Sequence, residues 1–349
     1  MTSTKKEKVL LGMSGGIDST AAAVLLLEKG YDVVGGTFKV IENENIDDTI
    51  KDAKKVCEKL NIEHHVFDYR DIFEDLVIDD FVNKYRKGRT PNPCVKCNKD
   101  IKYDEFLKSA HSLGISKIAT GQYGRIEEKD GKYYIKKSVN KMKDQSYYLY
   151  NIKYENIKDI LLPIGHIKNK DEAKKIASRT GIDFHSKSES QDICFIKDNN
   201  YQEFLKDYIE KDLIGNFIDK KGNILGKHKG IQNYTVGQRK GLGIALGTPH
   251  YVIEIDYETK DITLGLKEDL YSSECILREY NILNPDVDIE KEEFTAKVRY
   301  SHREEKITIK KDGKSLKILF EKPVRAITLG QSLVFYKGDY LVGGGIIDK

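Results

Sequence analysis

The first part of the chain alternates short apolar runs with longer amphipathic stretches. Residues 9–12 form an apolar run of strand length, and similar runs lie in YDVVGGTFKV, EHHVFDYR and KIATGQYGR. Between these runs, apolar side chains recur with helical spacing, most clearly at Ile46, Ile50, Ala53, Cys57 and Leu60. The alternation predicts an α/β fold with a doubly wound parallel sheet, and it places Cys57 in the core.

Ligands of such sheets bind beyond the carboxyl ends of the strands. Gly12, Phe38 and Gly121 lie near three of these predicted ends. A binding site is therefore expected where these residues come together.

The pattern changes near residue 201. A helical stretch, YQEFLKDYIEKDL, gives way to short runs broken by glycines, and alternating strands then fill EFTAKVRY, EKITIKKDGKSLKILF and QSLVFYKGDYLVGGGII. Turns at Asp312-Gly313 and Gly338-Asp339 separate these runs, as in antiparallel sheets. We expect a catalytic α/β domain over residues 1–200 and two β-rich domains over residues 201–275 and 276–349, with Cys275 in a core.

The composition is typical of a soluble globular protein. Of 349 residues, 39% are hydrophobic and 33% are charged, and the net charge of +3 says little about partners. No apolar run approaches the ~20 residues of a membrane span, and the start MTSTKKEKVLLGMSGG lacks a signal-peptide pattern, which predicts a cytoplasmic protein without membrane contact. Five cysteines are too few for a disulfide framework, so clustered thiols indicate metal binding or catalysis.

A glycine turn follows the first strand in GMSGGIDS. Backbone amides of Ser14-Gly15-Gly16 and the dipole of the next helix favour a bound phosphate, and the hydroxyls of Ser14 and Ser19 add hydrogen bonds. Asp18 would hold Mg²⁺ or cap the helix. Neither a Walker loop nor a dinucleotide fingerprint is present. An ordinary tight turn between strand and helix is the alternative.

Three cysteines lie in polar segments. Cys94 and Cys97 follow two prolines in TPNPCVKCNKDIKY, which predicts a rigid, extended loop. Cys194, in HSKSESQDICFI, is expected at a junction between a loop and a strand. Alone it would be a small buried side chain, whereas a thiolate near lysines and a phosphate site would have the lowered pKa that sulfur chemistry needs.

The tract KYYIKKSVNKMKDQSYY is basic and aromatic. Its five lysines and four tyrosines could neutralise phosphates and stack on bases, although a solvated hairpin has the same composition. YTVGQRKGLG is similarly either a loop that contacts phosphate or a surface turn.

These motifs resemble known families. SGGIDS resembles the PP-loop of the ATP pyrophosphatases, which split ATP into AMP and pyrophosphate. The set GMSGGIDS, GRTPNPCVKCNKDIKY, TGQYGR, KDQSYYL, SQDICFI, YTVGQRKGLGI, RAITLGQSLVFY and GGGII, in this order, resembles the tRNA-specific 2-thiouridylases along nearly the whole chain. The resemblance implies a PP-loop domain, a small central domain and a C-terminal β-barrel that binds tRNA. It also implies ATP-dependent thiolation of C2 of the wobble uridine in tRNAs for glutamate, glutamine and lysine.

The resemblance assigns roles to individual residues. The implied nucleophile is Cys97 and the implied persulfide carrier is Cys194. The implied ATP-binding residues are Gly12, Met13, Ser14, Gly15, Gly16, Ile17, Asp18, Ser19, Phe38 and Gly121. The implied contacts with the target base and tRNA are Asn92, Pro93, Cys94, Gln122, Lys143, Asp144, Gln145, Arg299, Tyr300 and Gln331.

The family chemistry uses ATP with Mg²⁺ to adenylate the C2 oxygen, after which sulfur displaces AMP from a flipped-out base. Sulfur would come from a protein persulfide donor, either a cysteine desulfurase or a sulfur relay protein, to a monomeric enzyme. This sequence departs from the family at Phe38, Gln122 and Cys94, where methionine, histidine and aspartate are usual. The last departure opens an alternative, a [4Fe–4S] cluster held by Cys94, Cys97 and Cys194.

Two other functions compete with thiolation. Another PP-loop enzyme, such as an amidotransferase-type synthetase or a different tRNA thiolase, would share the use of ATP but not SQDICFI and the β-rich domains. A non-catalytic zinc-containing RNA-binding protein would explain the paired cysteines and the lysines, but not SGGIDS.

Overall fold

Strands follow the apolar runs of the N-terminal sequence. The computed structural model describes residues 6–42, 44–184, 193–209 and 213–349. Its first seven strands are β1 (Lys8–Gly12), β2 (Asp32–Lys39), β3 (His64–Asp68), β4 (Lys117–Ala119), β5 (Gly124–Lys129), β6 (Lys132–Lys137) and β7 (Ile160–Leu161). Five of them form one sheet in the order β3-β2-β1-β4-β7. Every pairing in it is parallel, which confirms the predicted sheet.

Helices fill the intervals between these strands. They are α1 (Ile17–Glu28), α2 (Glu44–Leu60), α3 (Arg70–Phe73), α4 (Asp79–Arg86), α5 (Pro93–Cys97), α6 (Phe106–Ser112), α7 (Lys170–Ala177) and, further along, α8 (Tyr201–Lys206). Side chains of α1, α2 and α7 share one core with β1. The predicted stripe of α2 is confirmed, because Ala53 and Cys57 are buried. Burial raises the pKa of Cys57 to about 11.

The segment with the paired cysteines is helical, so the prediction of an extended loop was wrong. Pro93 is the first residue of α5, a position where the missing N–H costs no helical hydrogen bond and the fixed φ angle suits the helix. The chain continues without a break into a π-helical segment, Asn98–Glu105, and then into α6. Only the residues up to Asn92 keep the expected non-helical conformation.

Two mainly antiparallel β structures follow α8. The first is a four-stranded sheet, ordered β10-β11-β8-β9, in which only the β8–β11 pair is parallel. Its strands are β8 (Asn216–Ile218), β9 (Ile224–Lys227), β10 (Tyr251–Ile255) and β11 (Ile262–Gly265).

The second β structure is a closed barrel of six strands. They are β12 (Tyr271–Ile282), β13 (Phe294–Lys297), β14 (Glu305–Asp312), β15 (Ser315–Arg325), β16 (Ser332–Lys337) and β17 (Tyr340–Ile347). The strand order is β12-β15-β14-β13-β16-β17, and pairing of β12 with β17 closes the barrel. Cys275 lies in its core as predicted, and burial raises its pKa to about 12. The expected turns are present, with φ of 56° at Gly313 and 58° at Gly338.

Cys194 lies in a turn, not at the start of a strand as predicted. The next residue, Phe195, packs its ring against Phe81 at 5.3 Å and Phe204 at 5.2 Å between centroids. A 3₁₀ turn, Lys197–Asn199, and α8 follow directly. The apolar run after Cys194 is therefore explained by ring packing and not by strand pairing. Residues 185–192, which carry the rest of the predicted polar segment, lie outside the described residues.

The chain divides into two compact units. One contains Met1–Leu76, Val95–Gln191 and Asp339–Leu341, and the other contains Val77–Cys94, Asp192–Gly338 and Val342–Lys349. The domain boundaries at residues 200 and 275 stay a prediction. Among the described residues, no helix has the length and apolar character needed to cross a membrane.

Candidate active site

The glycine turn lies between the end of β1 and the start of α1, as the sequence predicts. Gly15 has φ of +66°, and a Cβ there would lie 2.5 Å from the carbonyl carbon of Asp52. A side chain is therefore excluded at this position by both conformation and space. Gly16 is the N-cap of α1 and supplies no side chain to cap it. Amides at this helix terminus point to where an anion would bind.

Two serines brace this turn. The Ser14 and Ser19 hydroxyl oxygens are 3.2 Å apart, and the Ser19 hydroxyl donates to the Gly16 carbonyl at 3.1 Å. The Gly16 N–H points to the Ser14 hydroxyl at 3.4 Å. The loop is thus shaped by its own hydrogen bonds before any ligand arrives, a preorganisation that favours phosphate binding.

The carboxylate of Asp18, in the first turn of α1, is held from a distant part of the chain. The Tyr123 hydroxyl donates to Asp18 Oδ1 at 2.7 Å, and Lys143 Nζ lies 3.8 Å from Asp18 Oδ2. Lys143 Nζ also lies 5.3 Å from the centre of the Tyr123 ring. Tyr123 is not among the site residues predicted from the sequence, although it directly follows two of them, Gly121 and Gln122, in TGQYGR.

Gly121 allows this close approach. A Cβ at Gly121 would lie 2.8 Å from the Ser19 amide nitrogen, a backbone atom that cannot move aside. The segment after β4 therefore passes directly over the start of α1. The structure brings the predicted ATP residues Gly12, Asp18, Ser19 and Gly121 together at one edge of the sheet.

An apolar surface adjoins the loop at Phe38. Its ring meets Phe106 edge-on at 4.6 Å between centroids, and a Cβ at Gly12 would lie 3.4 Å from it. Next to it in β2, the Thr37 hydroxyl donates to the Met13 carbonyl at 2.8 Å. An aromatic side chain at this strand end offers a face for an adenine ring, so phenylalanine in place of methionine keeps the site apolar.

Four of the predicted tRNA contacts lie in the first unit, and they differ in accessibility. Asp144 is 6% exposed, and its carboxylate accepts hydrogen bonds from Ser138 N and Ser146 Oγ, each at 2.8 Å. The other three are Gln122, buried against the Tyr103 hydroxyl, Gln145, which accepts from Tyr123 N at 2.9 Å, and Lys143. Asp144 thus shapes the loop that presents Lys143, while contact with tRNA stays a prediction for all four. Tyr147 of the same tract is fully buried and offers no face to a base.

The barrel carries three more of the predicted contacts, whereas Asn92 lies directly before α5 and Pro93 and Cys94 are its first two residues. Arg299 Nη1 lies 3.5 Å from the carbonyl oxygens of Arg325 and Ala326, and Lys297 Nζ lies 6.0 Å from the centre of the Tyr300 ring. Both Arg299 and Tyr300 are partly exposed. Gln331 contacts the segment before α5, where its Nε2 donates to the Thr90 carbonyl at 3.0 Å.

The three candidate cysteines differ in exposure. Cys94 and Cys97 are partly buried in α5, and Cys194 is exposed in its turn. Cys97 belongs to the first unit and the other two to the second. Within the part of the chain that the structure describes, no three cysteine, histidine or carboxylate side chains are grouped closely enough to hold a metal ion. The described residues therefore provide no preformed site for a cluster on these three thiols.

The residues beside the phosphate loop fit a magnesium ion. Asp18 provides a carboxylate beside the phosphate loop, and Ser14 and Ser19 provide hydroxyls. Mg²⁺ prefers oxygen ligands and usually combines one or two carboxylates with substrate phosphates. Asp18 is accordingly the residue that would hold it, where it would neutralise charge on the phosphates.

Family models match nearly the whole chain. They are described as a tRNA methyl transferase HUP domain over residues 7–198, a tRNA methyl transferase PRC-barrel domain over residues 202–266 and an aminomethyltransferase beta-barrel domain over residues 272–347. The tRNA-specific 2-thiouridylase MnmA of Clostridioides difficile is 46% identical over 98% of this chain and 98% of its own. MnmA 1 of Clostridium tetani is 45% identical over 100% and 99%. The chain belongs to the tRNA-specific 2-thiouridylase family.

Membership confirms the family predicted from the motifs and, with it, a PP-loop enzyme of the transferase class that modifies tRNA. It also decides against an amidotransferase-type synthetase and a non-catalytic zinc protein. Among solved structures, the U34-tRNA thiolase NcsA from Methanococcus maripaludis with its [4Fe-4S] cluster is 18% identical, with a TM-score of 0.37 over 58% of this chain and 63% of that one.

Proposed function

We propose that the protein thiolates C2 of the wobble uridine of tRNA by adenylation followed by transfer of persulfide sulfur. The observation that carries the proposal is the braced phosphate loop at Ser14–Ser19 in a chain that is 46% identical, over 98% of its length, to a tRNA-specific 2-thiouridylase. The substrate is inferred from the name of the relatives, and the use of ATP is inferred from the phosphate loop.

The first step activates the base. Oxygen at C2 of uracil is a poor leaving group, so the C2 oxygen attacks the α-phosphorus of ATP and pyrophosphate leaves. The loop amides and the two serines would hold the departing pyrophosphate, with Asp18 on the metal ion. Tyr123 keeps the Asp18 carboxylate in place through its 2.7 Å hydrogen bond.

The second step exchanges oxygen for sulfur. The terminal sulfur of a Cys194 persulfide attacks C2, and AMP leaves with the former C2 oxygen. Cys97 thiolate then attacks Cys194 Sγ, which releases 2-thiouridine and leaves a Cys97–Cys194 disulfide. A thiol reductant restores both cysteines, and a persulfide donor recharges Cys194. An exposed Cys194 suits delivery by another protein, a cysteine desulfurase or a sulfur relay protein.

Partners and setting follow from the same proposal. The substrate tRNA would be one of those for glutamate, glutamine or lysine, and the protein would act as a monomer in the cytoplasm. A flipped-out uridine is needed because its C2 lies inside the anticodon stack.

The test supplies unmodified tRNA, ATP, Mg²⁺ and a persulfide donor to the purified protein. We expect pyrophosphate and AMP in equal amounts with 2-thiouridine, which is identified by mass analysis of the nucleosides. Pyrophosphate formation with a different modified nucleoside would keep the loop and overturn the substrate. Binding of tRNA without pyrophosphate would overturn the enzyme assignment.

A further inference from the structure

The segment leading into α5 is hydrogen-bonded to the loop before β16. Thr90 N donates to the Leu329 carbonyl at 2.8 Å, and Gln331 Nε2 donates to the Thr90 carbonyl at 3.0 Å. The same amide nitrogen lies 3.4 Å from the Pro91 carbonyl oxygen. Both backbone polar groups of Thr90 are therefore paired with one short stretch of the barrel.

The sequence explains why this anchor, the contact of Gln331 with residues 90 and 91, acts through carbonyl groups. Pro91 and Pro93 have no N–H, so the backbone between Thr90 and α5 has few donors with which to fix itself. The carbonyl oxygens of this backbone remain as acceptors. A side-chain amide can donate to two of them because its nitrogen has two N–H groups. Gln331 points that nitrogen at two consecutive carbonyls.

Gly330 permits the close approach. Its φ is +89°, and a Cβ there would lie 3.0 Å from Arg89 Cβ and 3.1 Å from Thr90 N. The loop is itself held to β17, because Gly330 N donates to the Ile347 carbonyl at 2.9 Å and Ile347 N donates to the Gln331 carbonyl at 2.8 Å. The anchor is thus connected to the barrel's strand network.

Side chains hold the same segment on either side. The Arg89 guanidinium lies 2.7 Å from Asp348 Oδ1, and Asp348 in turn pairs with Arg278 at 2.9 Å. The Thr90 hydroxyl lies 3.3 Å from the hydroxyl of Thr235, in the YTVGQRKGLG segment. Two different parts of the second unit therefore contact residues 89 and 90.

We propose that Gln331 is a positioning residue, through which the C-terminal barrel fixes the start of the helix that carries Cys94 and Cys97. Pro91 is two residues from the first residue of α5, so an anchor there limits how the helix can move. The role in catalysis rests on the proposed function of Cys97. The anchor itself does not depend on that function. It gives Gln331 a role in addition to the tRNA contact that the family resemblance implies.

The test measures the anchor in full-length protein without tRNA, ATP or sulfur. Gln331→Met removes the donor without adding charge, and Gly330→Ala disturbs the same loop independently. Loss of one such hydrogen bond should raise hydrogen exchange of residues 89–97 by about 2- to 10-fold. Alkylation of Cys94 should accelerate by a similar factor.

Gln202→Met is the matched control. Gln202 Nε2 also donates to a backbone carbonyl, that of Asn233 at 2.8 Å, but it does not contact residues 89–91 through that bond. Exchange at residues 89–97 should stay at the wild-type rate in this variant, and the melting temperature of all three proteins verifies that they fold. Wild-type exchange and alkylation in both Gln331→Met and Gly330→Ala would overturn the proposal. Weaker tRNA binding as their sole defect would make Gln331 a tRNA contact alone.

Discussion

The phosphate loop and the cysteine segments are both short motifs, but they depend on the fold to different degrees. The loop is nearly complete within one strand, one turn and one helix, where Ser14, Gly16 and Ser19 contact one another. Cys94 and Cys97 lie in α5, and Cys194 lies in a separate turn. Cys97 belongs to one compact unit, whereas Cys94 and Cys194 belong to the other. Local hydrogen bonds can specify a phosphate site, whereas sulfur transfer requires two distant thiols to meet.

Among the substitutions that test this comparison, the one at Cys194 is expected to have the largest effect. Cys194→Ser should abolish thiolation while tRNA binding stays at the wild-type level, because a hydroxyl cannot carry a persulfide. With ³⁵S-labelled donor, the protein should remain unlabelled. Cys275→Ala, at a thiol buried in the barrel, should keep the label. Full labelling of Cys194→Ser would identify another carrier.

The phosphate loop should depend on Asp18 nearly as strongly. Asp18→Asn keeps the shape of the side chain but removes the charge that would hold Mg²⁺, so AMP formation with substrate tRNA should fall about 10²- to 10³-fold. Asp48→Asn, at an exposed carboxylate of α2 that pairs with Lys51 at the surface, is the control and should retain full activity. Equal AMP formation by both variants would remove Asp18 from the mechanism.

Tyr123 tests whether the loop is as self-contained as its motif indicates. Tyr123→Phe keeps the ring but removes the O–H that donates to Asp18. A hydrogen bond to a charged group is worth about 1.5 kcal/mol or more, so kcat/KM should fall about 10-fold. The apparent Mg²⁺ affinity, measured by ATP binding without tRNA, should fall as well. A normal Mg²⁺ titration would show that Asp18 is oriented without Tyr123.

Cys94 decides between the persulfide route and a cluster. Since no group of three ligands forms among the described residues, we expect Cys94→Ala to keep thiolation within about 3-fold, which corresponds to less than about 0.7 kcal/mol in the activation free energy. Protein purified without oxygen should contain no iron and lack absorbance near ~400 nm. About four irons per chain, lost together with activity in Cys94→Ala, would overturn the persulfide-only route.

The smallest effect is expected for the cysteines in the cores. They sharpen the contrast between buried and exposed thiols. Burial raises the pKa of Cys57 from 9.0 to about 11, so its thiolate fraction at pH 8 is about 100-fold lower than that of an ordinary thiol. Iodoacetamide at pH 8 should therefore label Cys57 only after unfolding, as judged by peptide mass analysis. Labelling of Cys57 in folded protein at the rate of Cys194 would show that α2 opens readily.

The sequence alone determined the parallel sheet, the phosphate loop and the core places of Cys57 and Cys275, because each depends on periodicity or on residues close together in the chain. It could not decide the conformation around Cys94 and Cys194. Two prolines favour an extended chain, but a proline in the first turn of a helix costs nothing, and an apolar run can pack as rings instead of pairing as a strand. Only tertiary structure brought Tyr123 to Asp18 and Gln331 to Thr90, at separations of 105 and 241 residues. No local pattern encodes such contacts, since they arise when packed elements bring remote donors to acceptors that the nearby chain leaves unpaired.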